Sequence, residues 1–527
     1  MQKVLRLSRT VTRFKSAQLG EKLNYRVKKF CFENKILGKS KANVEHSFPI
    51  DFFPSYSPSS CLSKLKFTLL NRSKEFRDDV NWNFNGFGVL WNVMLNSFEY
   101  LNSENIIMED GIRVLHSFIK KAKRNKSLYD SHCISQRIIN AVKFCSRFKI
   151  HDRRINEFIF NQCLYLKKNP EFHLRNNHLL DNGFALLFAS LYFNEYAFFD
   201  FSERLLFNNI PKQILHDGAH FELCPMYHLL VLHRMLDSIY LLNKSNFPSE
   251  RLRSRLKLYS AKMLGWVQQM QMTNGCMPSF NDSAEGYGPG IRAVMRLASE
   301  LKTDAIVTPF KESGFRKFKN RNFELVIDVN GISPSEAPGH SHADTFHFIL
   351  NIFGDPFIID TGVSTYSKCK ERSYERSTKA HNTVTIGDLN QSEIYGSFRV
   401  GRRADVIHLQ EKNNEIEGTH NGYSNQGIYH TRRIILKQDH IEIIDIVKSK
   451  KPVNCKVYLH IDKKSGLVQK EDKFISRFTT IEFSNCNSIV LNEGWHAPSF
   501  GVRSPCFVVC ADFTNEIVTK IKLNKQV

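Results

Sequence analysis

The 527-residue chain lacks several features that would narrow its role at once. Its twelve cysteines contain no Cys-x-x-Cys pair, so they read as buried thiols in a reducing compartment rather than a disulfide framework. No apolar run is long enough to cross a bilayer. Residues 1–9 are basic but lack the continuous apolar segment of a secretory signal, so the expected location is the cytoplasm. Zinc-finger spacing, a phosphate-cradling glycine loop and an RNA-binding aromatic signature are all missing. No repeat of fixed period is visible, so a regular solenoid is not supported. Acidic residues are in deficit, 52 Asp plus Glu against 74 Lys plus Arg, for a formal charge of +22. That excess suits a polyanion, whether nucleic acid, acidic lipid headgroups or acidic polysaccharide, without choosing among them. A nucleic-acid role would rest on charge alone and is not expected. Residues 1–30 could form a short basic amphipathic helix, either packed on the body or touching a membrane surface.

What is present divides the chain. Its length exceeds one ordinary core. Residues 1–70 form the least readable section, an arm with lead-in helices. Residues 71–315 carry a helical period, with Ile112, Leu115, Phe118 and Ile119 at three- and four-residue spacing, and Ile134, Ile138, Ala141, Val142 and Cys145 likewise. The run from Gly183 to Phe199 is apolar nearly all round, as expected of one buried helix. Pro225 opens another, where its missing N–H is harmless. In residues 316–527 the period changes to short β-branched or aromatic runs separated by turn residues. They include residues 323–329, 347–353, 432–436, 440–447 and 506–513, and they predict antiparallel sheets packed as a sandwich. The fold class is multidomain α and β.

Two polar clusters interrupt these patterns. In the sheet half, Gly339-His340-Ser341-His342-Ala343-Asp344 is followed by Phe357-Ile358-Ile359-Asp360 and by Ala380-His381-Asn382-Thr383. Imidazoles and carboxylates among strand-like residues are costly unless they bind a metal or handle protons. Far upstream, Asn176-Asn177-His178 and Pro225-Met226-Tyr227-His228 form the second cluster. Together they suggest one site built between two domains. Asn177 reads locally either as a helix N-cap or as an amide aimed at an anion. His178 titrates near neutral pH and could be a general base, or a satisfied structural residue. Tyr227 is a candidate acid or a rim aromatic. His340 and His342 are two apart, so on a strand they would share one face.

The ordered set of motifs resembles the heparinase II/III-like polysaccharide lyases. It comprises Asn176 to Asn182, Asp217-Gly218-Ala219-His220-Phe221-Glu222 leading into Tyr227-His228, Gly339 to Asp344, Asp360-Thr361-Gly362, and Arg376 to Thr383. The resemblance covers roughly residues 80–500. It implies an incomplete N-terminal α/α toroid, a C-terminal antiparallel β-sandwich, and β-elimination on a 4-linked uronate in an acidic polysaccharide. It further implies that Asn177 neutralises the uronate carboxylate, that His178 and Tyr227 exchange protons, and that His340 assists. His342, Asp360 and His381 would hold a structural zinc or another divalent metal, a donor mixture zinc accepts; a hydrogen-bonded polar core is the alternative for these three. Asp181 stands one turn after His178 and could orient it. Tyr366, Tyr374 and Arg376 would contact sugar, Arg376 through a bidentate pairing with carboxylate or sulfate. Tyr423 and Trp495 read as sandwich core before ligand contacts. Relatives are often periplasmic or secreted, unlike the location expected here. The rivals from other classes are a noncatalytic glycan-binding or capsule-assembly protein on the same scaffold, and a metal hydrolase.

Overall fold

The computed structural model describes residues 9, 16–32, 47–54, 56–122, 125 and 128–524. Residues 1–8 of the basic stretch, and Lys123 and Arg124 in the basic cluster at 120–124, lie outside them. Helix α1 (Ser16–Phe32) leads to a small three-stranded sheet, Cys61–Ser63, Lys66–Leu69 and Arg72–Glu75, that straddles residue 70. Helices α2 (Val89–Ser97), α3 (Met108–Lys121), α4 (Ser131–Arg147), α5 (Arg153–Lys168), α6 (Asn177–Phe193), α7 (Tyr196–Gln213), α8 (Pro225–Asn243), α9 (Glu250–Met270) and α10 (Ile291–Glu300) follow. They pack as the expected incomplete toroid, with α6 against α4, α7 and α8.

Local chemistry explains the ends that matter. The N-cap of α6 is Asn176, whose side chain accepts from the His178 N–H, so Asn177 is released from capping and becomes the first helical residue. Pro225 opens α8 and places Tyr227 in its first turn. The apolar run from Gly183 to Phe199 is two helices rather than one. Asn194 turns left-handed (φ 50°) to end α6, and the Glu195 side chain caps α7 by accepting from the Ala197 N–H. A run of apolar and aromatic residues cannot register that break, because it continues from the buried α6 into the first turn of α7, where Phe198 and Phe199 are buried.

The second half holds two large antiparallel sheets. One runs Val406–Lys412, Glu415–His420, Tyr429–Leu436, His440–Lys448, Glu516–Leu523, Thr479–Ser484, Lys473–Ile475 and Val468–Lys470 from edge to edge. The other runs Ser488–His496, Ser504–Phe513, Cys455–Asp462, Asp355–Ile358, Phe348–Ile352, Phe323–Asp328 and Phe315–Lys319, with Val384–Ile386 paired beside Cys455–Asp462. In the first sheet Tyr429–Leu436 and His440–Lys448 alternate buried and half-exposed residues, as one covered face requires. Phe323–Asp328 and Phe348–Ile352 are buried throughout. Their Leu325, Ile327, Phe348 and Leu350 fill the sandwich core, whereas the paired Val326 and Ile349 join the core of the helical half. Each such side chain, fully buried, contributes about 1.5–3 kcal/mol, so this seam docks the halves firmly. Asp217 adds a polar tie: its Oδ2 accepts from the Lys311 and Ser313 N–H groups (2.9 Å each) and the Ser313 hydroxyl (2.7 Å). The adjoining Gly218 (φ +89°) lies where a Cβ would meet the Lys262 carbonyl at 2.2 Å.

Candidate active site

A cleft in the helical half is lined by Asn177, His178 and Asp181 from α6, by Tyr227 and Arg234 from α8, by His132 and Gln136 from α4, and by Glu99 and Tyr287. Asn177 is buried, and its Oδ1 has no hydrogen-bond partner among the described residues. His178 donates from Nδ1 to Glu171 (3.5 Å) in the loop before α6. Burial favours its neutral ring, but the Glu171 charge and hydrogen bond outweigh that and hold it at about 9. His132 stacks on His178, centroids 4.0 Å apart; burial and the neighbouring cation keep it neutral, with its pKa down at about 3. Asp181 does not orient His178 as expected. It accepts from Gln136 Nε2 (3.0 Å), and burial raises its carboxyl to about 6 despite Arg234 and His178 nearby.

Across the seam stands His340, its ring 4.1 Å from that of Tyr227. His340 and His342 are not on a strand; they lie in the irregular segment ahead of Phe348–Ile352, yet both reach Asp282. Asp282 Oδ2 accepts from His340 Nδ1 (2.8 Å), and Oδ1 accepts from His342 Nε2 (2.9 Å). Arg372 donates to both oxygens, at 2.5 and 2.8 Å. Burial alone would raise the Asp282 carboxyl, but Arg372 and the two imidazoles hold it well below the usual carboxylate range. Because Nδ1 of His340 faces a carboxylate, its neutral ring keeps the lone pair on Nε2. The Tyr227 hydroxyl is 3.2 Å from that of Tyr366. Burial pushes the Tyr227 phenol well above its ordinary value, so it holds its proton at neutral pH.

Two expected sugar contacts stand elsewhere. Arg376 is fully buried and donates to the carbonyl of Ser341 (2.8 and 3.3 Å), so its guanidinium fixes the histidine segment and is not free for carboxylate or sulfate. Tyr374 packs its ring on Trp495, 5.4 Å away, with the Lys379 ammonium over its face. Tyr366 does face the site, between His340 and the Arg372 guanidinium, which lies 4.9 Å from its ring centre. Tyr423 is core, its hydroxyl donating to the Val384 carbonyl.

Comparison with known proteins accounts for both halves. The family model described as heparinase II/III N-terminus matches residues 13–300, and the one described as heparinase II/III-like, C-terminal matches residues 303–519. The chain belongs to the heparinase II/III family. A heparin-sulfate lyase of Pedobacter heparinus is 26% identical over 271 residues, 44% of this chain and 40% of that protein. One of Bacteroides stercoris is 24% identical over 242 residues, 41% of this chain and 36% of that protein. The matches thus span about two fifths of these curated relatives. A crystal structure of heparinase III aligns with a TM-score of 0.70 at 16% identity, covering 86% of this chain and 80% of its own. The heparan sulfate lyase structure from Pedobacter heparinus aligns at 0.55 and 16% identity, covering 95% and 87%. At that identity the structures attest the toroid-and-sandwich fold.

In this heparinase II/III family member, the donor cluster among the described residues that could hold a metal is His347, Asp360 and His381, all buried, with ligand atoms within 4.8 Å of one another. Asp360 and His381 belong to the expected set, but His347 stands where His342 was expected. The reason is Asp282, which takes His342 Nε2, while His342 Nδ1 stays buried without a hydrogen bond among the described residues. Sequence reading also missed His132, Glu171, Asp282 and Arg372. Glu171 follows Pro170 in a polar loop, and Asp282 sits in Asn281-Asp282-Ser283; each is a single acid that only the fold pairs with an imidazole. His347 could have been noticed as an imidazole at the head of an apolar strand.

Proposed function

We propose that this protein is a polysaccharide lyase that cleaves a 4-linked uronate polymer by β-elimination, on a glycosaminoglycan-like chain as the names of its heparin-sulfate lyase relatives suggest. The observation that carries the reading is the packing of Tyr227, which lines the cleft with Asn177 and His178, directly on His340 from the other half. The Asn177 amide and the His178 cation bind the uronate carboxylate and offset the charge that develops when C5 loses its proton. A ring held at about 9 is already protonated at neutral pH, so His178 is not the general base anticipated from its residue type. His340 Nε2 takes the C5 proton, with Nδ1 anchored on Asp282. The C5–H electrons form the C4–C5 double bond, the C4–O4 bond breaks, and the Tyr227 hydroxyl gives its proton to the departing O4. Tyr366 steadies that hydroxyl.

The buried His347–Asp360–His381 cluster fits a divalent ion of the zinc class in donor type: His347 Nε2 lies 3.2 Å from Asp360 Oδ1, and His381 Nε2 has no hydrogen-bond partner among the described residues. Such an ion would be structural, neutralising Asp360 and cross-linking the segments that carry the three residues. Metal analysis of purified protein should find about one equivalent, lost in His381→Ala. The lyase reading is tested by the absorbance of unsaturated uronate products with a panel of acidic glycans. Saturated products, or binding of intact polymer without any double bond, would replace it with a hydrolase or a noncatalytic binder.

A further inference from the structure

Helix α1 is built inside out. Gln18, Glu21 and Tyr25 share one face, and that face is turned to the body. Gln18 is buried, its Nε2 donating to the His173 carbonyl (3.4 Å). Glu21 pairs with Arg175 at 3.1 Å. The Tyr25 hydroxyl is 3.1 Å from Ser131 Oγ, and its ring packs on His173 at 4.5 Å. On the opposite face Leu19, Leu23 and Val27 recur at four-residue spacing and are 43%, 66% and 53% exposed. Beside that stripe Lys22 and Arg26 are exposed, while Glu21, the acid in the helix, faces inward.

We infer that the outer face of α1 docks on the surface of an anionic lipid bilayer. An apolar centre with a cationic border is the pattern of a helix lying in the membrane interface, its apolar side chains among the acyl chains and its ammonium and guanidinium groups at acidic headgroups. Charge argues against a second copy of this chain, because each copy would present Lys22 and Arg26 to the other and carries a formal +22 overall. An acidic polysaccharide would meet Lys22 and Arg26 but leave the apolar stripe in water. No described helix is long and apolar enough to cross a membrane, so the contact is peripheral.

The test is flotation of the full chain with vesicles of phosphatidylcholine alone or with a quarter phosphatidylglycerol. The chain should float with the anionic vesicles and far less with the neutral ones, increasingly so as salt is lowered. Leu23→Glu with Val27→Glu should weaken that binding at least about tenfold, since two apolar anchors become anions. Lys22→Glu with Arg26→Glu should weaken it by about fivefold or more per residue. All four positions are exposed, so both variants should retain the parent's thermal midpoint and turnover. Undiminished flotation of Leu23→Glu/Val27→Glu, equal binding to neutral vesicles, or no binding to either would overturn the inference. So would a concentration-dependent dimer in light scattering that the same pair of substitutions abolishes, since a second copy would then cover the stripe.

Discussion

His178 and His340 come from different halves of the molecule, and each is backed by a carboxylate, yet the two pairs are built for different work. Glu171 touches one imidazole at 3.5 Å, and its second oxygen meets Asn182 at 3.4 Å. Asp282 grips two imidazoles and a guanidinium within 2.5 to 2.9 Å and is wholly buried. The helical pair therefore leaves a half-exposed ring charged and facing the cleft, suited to attracting an anion. The sheet-side pair fixes a ring's orientation and tautomer, suited to moving a proton. A histidine's neighbour, more than its own chemistry, decides which of these it does.

The largest test of that contrast is Tyr227→Phe. It removes the hydroxyl and leaves the ring on His340, so turnover should fall by about two to four orders of magnitude with substrate affinity nearly kept. Turnover within a few-fold of the parent would break the assignment of Tyr227 as the acid. Next in size is Asp282→Asn. Arg372 would lose its buried counter-charge, and chemical denaturation should show a loss of about 3–5 kcal/mol, the scale for breaking a buried pair from one side. Glu171→Gln, by contrast, should cost little stability at high pH.

The pH dependence separates the two pairs further. The His178 pKa is raised to about 9 in the folded protein, whereas an unfolded histidine titrates near about 6.5. Its contribution to stability is therefore fully present below about pH 6.5 and is lost as pH rises toward about 9. In Glu171→Gln that dependence should shrink, since only the Asp181 and Asp130 charges remain to raise the ring, so the stability curves of variant and parent diverge at pH 6 and converge above pH 9. If the charged ring binds the uronate, the parent's KM should climb as pH passes about 9, where the folded ring loses its proton, and the variant's at lower pH. A KM that is flat in both would remove His178 from substrate binding. At the small end, Arg153→Ala breaks an exposed pair with Glu157 at 3.0 Å and should change stability by less than about 0.5 kcal/mol.

Much of this was legible in the sequence because it follows from local rules. Pro225 marks the start of α8, and strands such as His440–Lys448 show their alternation directly. The motif histidines, Asn177 and Tyr227 could be singled out as residue types out of place in apolar surroundings. What escaped depends on long-range pairing. Asp282 meets His340 and Arg372 across 58 and 90 positions of sequence, so nothing near it announces its partners. Arg376 looked like an anion clamp because a sequence shows a charge but not the Ser341 carbonyl that occupies it. His342 was assigned to the metal set on its motif alone, and the competing acceptor lies in the loop between α9 and α10.

That loop carries a consequence for how the site comes into being. Asp282 belongs to the stretch that ends the toroid, whereas the guanidinium and imidazoles it binds are made later in the chain. A polypeptide still being synthesised can complete its helices with Asp282 in place, yet it lacks the imidazoles and guanidinium that pair with that carboxylate, His340 among them, until the sandwich segment is made. In the proposed mechanism, docking of the two modules also completes the pair that moves the proton.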